Sequence, residues 1–95
     1  RFPAMSRDIS IIVDEPVKAA AIEEIVNAFG GDILRRVDVV DVFRGEMVGA
    51  GKKSVTFALE FRHDERTLGD EEVNAVMTPM LEEIKTKLGG TLRVS

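Results

Sequence analysis

The stretch that most constrains the fold is residues 54–62, SVTFALEFR, in which apolar side chains alternate with polar or small ones. In an extended strand Val55, Phe57, Leu59 and Phe61 share one face, and the residues between them share the other. The apolar face must be buried, while the other can stay open. The sequence therefore predicts a sheet covered on one side, whose free side offers a binding surface.

A second strand precedes this one and is joined to it by a glycine-rich loop tipped with lysines. Residues 33–44, ILRRVDVVDVFR, are rich in branched side chains, but the parity of their valines changes near Val39. A β-bulge there would reconcile the two halves of the strand. Beyond it Asp41 and Phe43 share the face opposite to the neighbouring valines. An acid and an aromatic ring are therefore predicted beside each other on the open face.

The full chain follows the order strand, helix, strand, strand, helix, strand. The predicted bounds are a linker over residues 1–6, strands over 7–13, 33–44, 53–62 and 91–94, and helices over 17–29 and 70–88. Pro79 lies inside the second helix and predicts either a bend or two abutting pieces. With right-handed crossovers this order predicts a single α+β domain over residues 1–95. The expected fold is a ferredoxin-like βαββαβ sandwich, with a four-stranded antiparallel sheet and two helices on one face.

Composition excludes several kinds of site. The chain has no cysteine and a single histidine, His63, which rules out disulfides, a thiolate zinc site, cysteine nucleophiles and a multi-histidine metal site. No apolar run approaches the roughly 18 residues that a membrane helix needs, so we expect a cytoplasmic domain without membrane contact. No nucleophile and base pair, and no catalytic residue, is predicted.

The net charge of −4 argues against binding nucleic acid by bulk electrostatics alone. The distribution of charge matters more than the sum. Residues 14–34 carry five acids and one base, whereas residues 35–66 carry seven bases and six acids. If the acidic helices cover one face of the sheet, a polyanion could approach the other.

Three runs of residues carry a resemblance to a known family. FPAMSRDIS near the start, VVDVFRGEMVGAGKKSVTFALEFR in the middle and RTLGDEEVNAV before the second helix together resemble the ferredoxin-fold anticodon-binding domain that ends the beta subunit of bacterial phenylalanine-tRNA synthetase. The resemblance covers essentially the whole chain in the right order. It implies a non-catalytic module that recognises the anticodon stem-loop of phenylalanine tRNA and supports aminoacylation by the parent ligase.

The resemblance also implies which residues bind RNA. The base-reading positions of the family fall on Asp41, Phe43 and Ser54, which parity independently places on the open face. Phe43 would stack under a base, a contact worth about 1–3 kcal/mol, and Asp41 and Ser54 would hydrogen-bond to base edges. The cations expected near the RNA phosphates are Arg44, Lys52, Lys53 and Arg62.

The parent enzyme implied by the resemblance would use ATP and magnesium, and it would contact its alpha subunit through the rest of the chain. We expect no cofactor and no metal in this domain. An alternative function is a small-molecule regulatory or oligomerisation module, since ferredoxin-like folds often serve in that way.

Overall fold

The computed structural model describes residues 2–93. Its elements, in chain order, are strand β1 (Met5–Asp14), helix α1 (Ala19–Phe29), strands β2 (Leu34–Phe43) and β3 (Lys52–Phe61), helix α2 (Asp70–Leu88) and strand β4 (Thr91–Leu92). The strands form one sheet in the order β2-β3-β1-β4, and every neighbouring pair is antiparallel. The predicted ferredoxin-like α+β architecture is confirmed.

The core lies between the two helices and one face of the sheet. It is built from the alternating apolar residues of the two central strands and from one stripe of each helix. Its largest fully buried members are Phe57, Phe61, Ile11, Ile22, Leu59, Met80 and Ile84. The other face of the central strands carries serine, threonine, alanine and charged side chains together with Ile12, and on β3 it follows the alternation predicted for residues 54–62. One side of the sheet is thus left without a covering helix.

Two bounds near the start of the chain differ from their predictions. β1 begins at Met5, so the predicted linker over residues 1–6 is too long: Met5 pairs with Phe61 and packs against the core, as its hydrophobicity favours. Pro16 lies in a turn, closed by the Val17 N–H donating to the Asp14 carbonyl at 3.0 Å, and α1 begins only afterwards. The helix predicted over residues 17–29 is therefore shorter at its start.

Helix α2 runs without interruption across Pro79, so the alternative of two separate pieces is wrong. Because proline has no N–H, the Ala75 carbonyl lacks its usual hydrogen-bond donor within the helix. Ala75 and Pro79 both lie on the exposed side, where water can donate to the free oxygen. The helix ends at Gly89, whose left-handed backbone (φ 67°) favours glycine. β4 is described only over Thr91–Leu92, and the predicted strand residue Val94 lies outside the described residues.

Candidate functional site

The pairing of β2 with β3 brings the three predicted base-reading residues together. The register shifts between Val39 and Asp41, where the sequence predicts a bulge. Beyond the shift Asp41 lies opposite Thr56, and Phe43 lies opposite Ser54. Thr56 and Ser54 alternate with buried core residues of β3 and so belong to the open face. Asp41 and Phe43 share that face because directly paired residues point to the same side of a sheet.

Ser54 is an exception among the residues of the open face, because it is fully buried (0% exposed). Its hydroxyl has no hydrogen-bond partner among residues 2–93. Its neighbours across the sheet are Phe43 on β2 and Ile12 on β1. A buried hydroxyl without a partner costs about 1–3 kcal/mol, and buried polar groups are normally paired. The Ser54 hydroxyl is thus available for a hydrogen bond to a ligand, once the side chains that bury it move.

Phe43 is covered on one side by Arg93, a residue that the sequence did not identify. The guanidinium carbon of Arg93 lies 4.8 Å from the centre of the Phe43 ring, within the range of a cation–π contact. The Arg93 N–H donates to the Ser10 carbonyl at 2.8 Å, which continues the pairing of β4 with β1. Arg93 therefore starts at one side of the sheet and reaches across the open face to β2. The only feature of the sequence that indicates the face of Arg93 is its alternation with Leu92, and the strand is too short for this alternation to support a prediction.

Asp41 extends the surface formed by Phe43 and Ser54. Its side chain is exposed, and no hydrogen bond or ion pair joins it to another of residues 2–93. The residues beside Asp41 on the next two strands are polar: the hydroxyls of Thr56 and Ser10 lie 2.6 Å apart and share a hydrogen bond. The face thus presents a carboxylate, a half-exposed aromatic ring and hydroxyl groups side by side. This set can stack a planar ring and bond to its polar edge.

Three of the four predicted cations lie at the end of the hairpin, but each is already paired with an acid. Arg44 donates to both carboxylate oxygens of Glu15, at 2.5 and 2.8 Å. The Lys53 ammonium lies 3.6 Å from the same carboxylate, and Lys52 donates to Asp14 at 2.7 Å. The acids come from the end of β1, which the pairing with β3 brings to this corner.

The pairing also fixes the ionisation of Glu15. The hydrogen bond from Arg44 is the largest influence and holds the pKa of Glu15 below its ordinary value, with the charges of Arg44 and Lys53 acting in the same direction. The same hydrogen bond raises the pKa of Arg44 above its ordinary value. Glu15 is therefore a carboxylate at neutral pH, and it neutralises part of the positive charge of this corner.

Arg62 is separated from the other predicted site residues. It follows the far end of β3, eight residues beyond Ser54, which corresponds to about 26 Å along an extended strand. There its N–H donates to the Ile33 carbonyl at 2.8 Å, and its guanidinium lies 3.8 Å from the Glu60 carboxylate. The structure thus brings Asp41, Phe43, Ser54 and the three hairpin cations together and leaves Arg62 outside this group.

The other features of residues 2–93 do not form a second candidate site. Within them no group of three or more histidine, cysteine, aspartate or glutamate side chains is placed to hold a metal ion. Neither helix is long and apolar enough to cross a membrane. His63 accepts a hydrogen bond at Nδ1 from the Glu65 N–H at 3.0 Å, a local contact within its loop. A depression of about 410 Å³ between β1, β4 and α2 contains none of the predicted site residues.

Comparisons with known proteins identify the family of the chain. A family model described as the ferredoxin-fold anticodon binding domain matches residues 1–93. The phenylalanine--tRNA ligase beta subunit of Halalkalibacterium halodurans is 47% identical over 93 residues, which cover 98% of this chain and 12% of the relative. The same subunit of Corynebacterium efficiens is 41% identical over 92 residues, covering 97% of this chain and 11% of the relative. The chain therefore spans only about 12% of the length of the relatives that it matches.

Proposed function

Because this chain belongs to the family of ferredoxin-fold anticodon-binding domains, we propose that it binds the anticodon stem-loop of phenylalanine tRNA. It does so as a non-catalytic part of a phenylalanine-tRNA ligase beta subunit, in the cytoplasm. The remainder of that ligase, including its alpha subunit, carries out the ATP- and magnesium-dependent chemistry. In this proposal the domain contributes only binding and orientation of the tRNA.

The observation that carries the proposal is the buried Ser54 hydroxyl, which has no partner among residues 2–93 and lies opposite Phe43, the ring that carries the Arg93 guanidinium. A base of the loop displaces the Arg93 guanidinium, stacks on the Phe43 ring and brings a polar edge to the Ser54 hydroxyl. The exposed Asp41 carboxylate accepts hydrogen bonds from base N–H groups at the rim. Stacking and edge recognition together are the means by which proteins read unpaired RNA bases.

The cations of the site act on the RNA backbone. Arg44 and Lys52 are about half exposed at the hairpin end, next to the base-reading face, where they can meet phosphates of the loop. Arg93, once displaced from Phe43, is free to do the same. Arg62 lies too far along β3 to contact the same nucleotides as Ser54, so it would meet only the stem.

The oligomerisation alternative requires strands to pair between copies of the chain. The long edge strand, β2, disfavours this: its register with β3 shifts twice, between Leu34 and Arg36 and between Val39 and Asp41. It also carries an exposed Arg36–Asp38 ion pair. Bulges and charged side chains are typical of edges that resist pairing with another sheet.

The test is a titration of this chain with the isolated anticodon stem-loop. Phe43→Ala removes a stack worth about 1–3 kcal/mol, but it also releases Arg93 from a contact worth about 0.5–1 kcal/mol in the free domain. At central values of about 2 and 0.75 kcal/mol, the difference of about 1.2 kcal/mol corresponds to a roughly eightfold weaker Kd. Phe2→Ala is the matched control, since both rings are 37% exposed and Phe2 precedes β1, away from the hairpin end. Equal effects of the two substitutions would refute the stacking role.

A second pair of variants separates recognition from net charge. Asp41→Asn and Asp38→Asn each remove one negative charge from β2, so general electrostatics would tighten RNA binding in both. The loss of a carboxylate acceptor weakens binding only in Asp41→Asn. If both variants bind more tightly, Asp41 does not read a base.

A further inference from the structure

Six charged side chains meet at the end of the β2–β3 hairpin and sum to zero. We call them the hairpin-end cluster: the cations Arg44, Lys52 and Lys53 and the acids Asp14, Glu15 and Glu46. Glu15, Arg44, Glu46 and Lys52 line an open depression of about 380 Å³, whose remaining walls are glycine- and alanine-rich backbone. The hairpin-end cluster, which adjoins Phe43 and Ser54, therefore offers a polyanion little net attraction.

Glu15 is the centre of this cluster because it serves two cations. Its two oxygens accept from Nε and Nη2 of Arg44, and the Lys53 ammonium lies 3.6 Å from one of them. The planar fork of arginine binds a carboxylate and a phosphate through the same pair of donors. Glu15 and an RNA phosphate therefore compete for Arg44. The backbone N–H of Glu15 donates to the Gly51 carbonyl at 2.8 Å, which fixes the residue beside the loop independently of its side chain.

We propose that Glu15 acts as an internal competitor for the RNA backbone: by occupying Arg44 and Lys53 it lowers the affinity of this surface for every RNA, cognate or not. This inference rests on the proposed function. Contacts to phosphates strengthen the binding of every tRNA alike, because all tRNAs have the same backbone. A surface whose cations are neutralised internally depends instead on the base contacts of Asp41, Phe43 and Ser54 to hold its ligand.

The size of the effect follows from counterion release. For a single-stranded ligand the logarithm of the association constant changes with the logarithm of salt concentration by about 0.7 for each cation that neutralises a phosphate. Of the two cations that Glu15 occupies, Lys53 has a side chain that is only 12% exposed, so Arg44 supplies the one additional contact. At about 0.1 M salt that contact strengthens binding by a factor of about 10^0.7, or roughly fivefold. Because phosphates are present in every sequence, the factor should be the same for cognate and altered loops.

The experiment measures the Kd of this chain by fluorescence anisotropy at several salt concentrations. The probes are the phenylalanine anticodon stem-loop and the same hairpin with all three anticodon bases replaced. Glu15→Gln keeps the length of the side chain and removes its charge. We expect Kd to fall about fivefold for both hairpins and the salt dependence to become steeper by about 0.7. Asp14→Asn, which releases Lys52, should change both quantities in the same direction.

Glu46→Gln is the matched control. Glu46 lines the same depression, but no hydrogen bond or ion pair joins its side chain to another of residues 2–93. Its loss changes the net charge equally without releasing a cation, and we expect less than a twofold change in Kd. Thermal unfolding of each variant verifies that the fold is retained.

Three results would overturn the inference. If Glu15→Gln weakens binding of the cognate hairpin alone, Glu15 orients Arg44 and does not compete with RNA. If Glu46→Gln tightens binding as much as Glu15→Gln, net charge explains the change. No change in any acid variant refutes competition directly. If instead the unsubstituted chain fails to bind either hairpin, or Phe43→Ala has no effect, the proposed function fails and the inference falls with it.

Discussion

Replacing Ser54 by alanine should stabilise the domain and weaken RNA binding at the same time. The Ser54 hydroxyl is fully buried and has no partner among residues 2–93. Removing such a group recovers a desolvation cost of about 1–3 kcal/mol. The void left by one oxygen atom offsets a few tenths of a kcal/mol of this gain. We therefore expect a net gain of about 1 kcal/mol or more, which raises the Tm of a domain of this size by about 4–8 °C per kcal/mol.

Ser10→Ala is the matched comparison, because it makes the same chemical change on the same face of a neighbouring strand. The Ser10 hydroxyl shares a hydrogen bond with Thr56 at 2.6 Å, so its loss leaves a half-buried hydroxyl without its partner. This should cost about 0.5–1.5 kcal/mol. The two serine-to-alanine variants are thus expected to shift the Tm in opposite directions, and any general effect of alanine in a strand cancels in the comparison.

The assays are thermal unfolding followed by circular dichroism and titration with the anticodon stem-loop. For Ser54→Ala the loss of one hydrogen bond to a base, worth about 0.5–1.5 kcal/mol, corresponds to a roughly 2- to 12-fold higher Kd. A fall in Tm similar to that of Ser10→Ala would show that the Ser54 hydroxyl is satisfied in solution. A higher Tm with unchanged Kd would remove Ser54 from the binding site.

Three further outcomes are expected. Gly45→Ala places a Cβ 3.0 Å from the tip of the Phe43 ring, so the exposed ring should move. We expect a nearly constant Tm and a lower affinity for RNA. Unchanged affinity would contradict the role of the ring position. Arg62→Met should raise the Kd for the stem-loop by no more than about fivefold at about 0.1 M salt, as expected for at most one peripheral phosphate contact, and a larger loss would contradict its separation from the site. The hydrogen bond from Arg66 lowers the pKa of Glu72 below its ordinary value of 4.5. The ionised carboxylate therefore stabilises the fold at pH values above 4.5, and this contribution is lost as the pH falls through the lowered pKa. The Tm of Glu72→Gln should therefore fall less than that of the unsubstituted chain between pH 7 and pH 3, and equal falls would refute the linkage.

The fold could be predicted from local patterns because each pattern reflects a strong physical constraint. The alternation around Phe57 identifies a strand buried on one face, and a shift by one residue would move its whole apolar set to the wrong side. The same constraint explains why the parity break near Val39 correctly predicts a bulge. The start of β1 at Met5 differs from the prediction because the two residues between Ala4 and Arg7 are too few to show a periodic signal of their own.

Parts of the site could not be predicted because they depend on contacts between residues distant in the sequence. The pairing of Glu15 with Arg44 arises only when the end of β1 meets the end of the hairpin, and neither residue marks this in its own neighbourhood. Arg62 shares the parity of Ser54, but parity does not make two residues neighbours, because eight residues of extended strand separate them by about 26 Å. Alternation determines the face of a residue, whereas strand register and chain ends determine its neighbours.

The contact between Arg93 and Phe43 has a consequence for which bases the site accepts. A base that stacks on Phe43 gains about 1–3 kcal/mol, but it must first displace the guanidinium, at a cost of about 0.5–1 kcal/mol. Bases that stack weakly would gain almost nothing, whereas purines, which stack strongly, keep most of their gain. Arg93→Met removes this cost equally for every base, so a pyrimidine loop that gains almost nothing from Phe43 in the unsubstituted chain should gain the full stacking energy in the variant. Phe43→Ala should therefore weaken binding of pyrimidine loops more in the Arg93→Met background than in the unsubstituted chain, and an equal effect in both backgrounds would show that Arg93 does not act as a threshold for stacking.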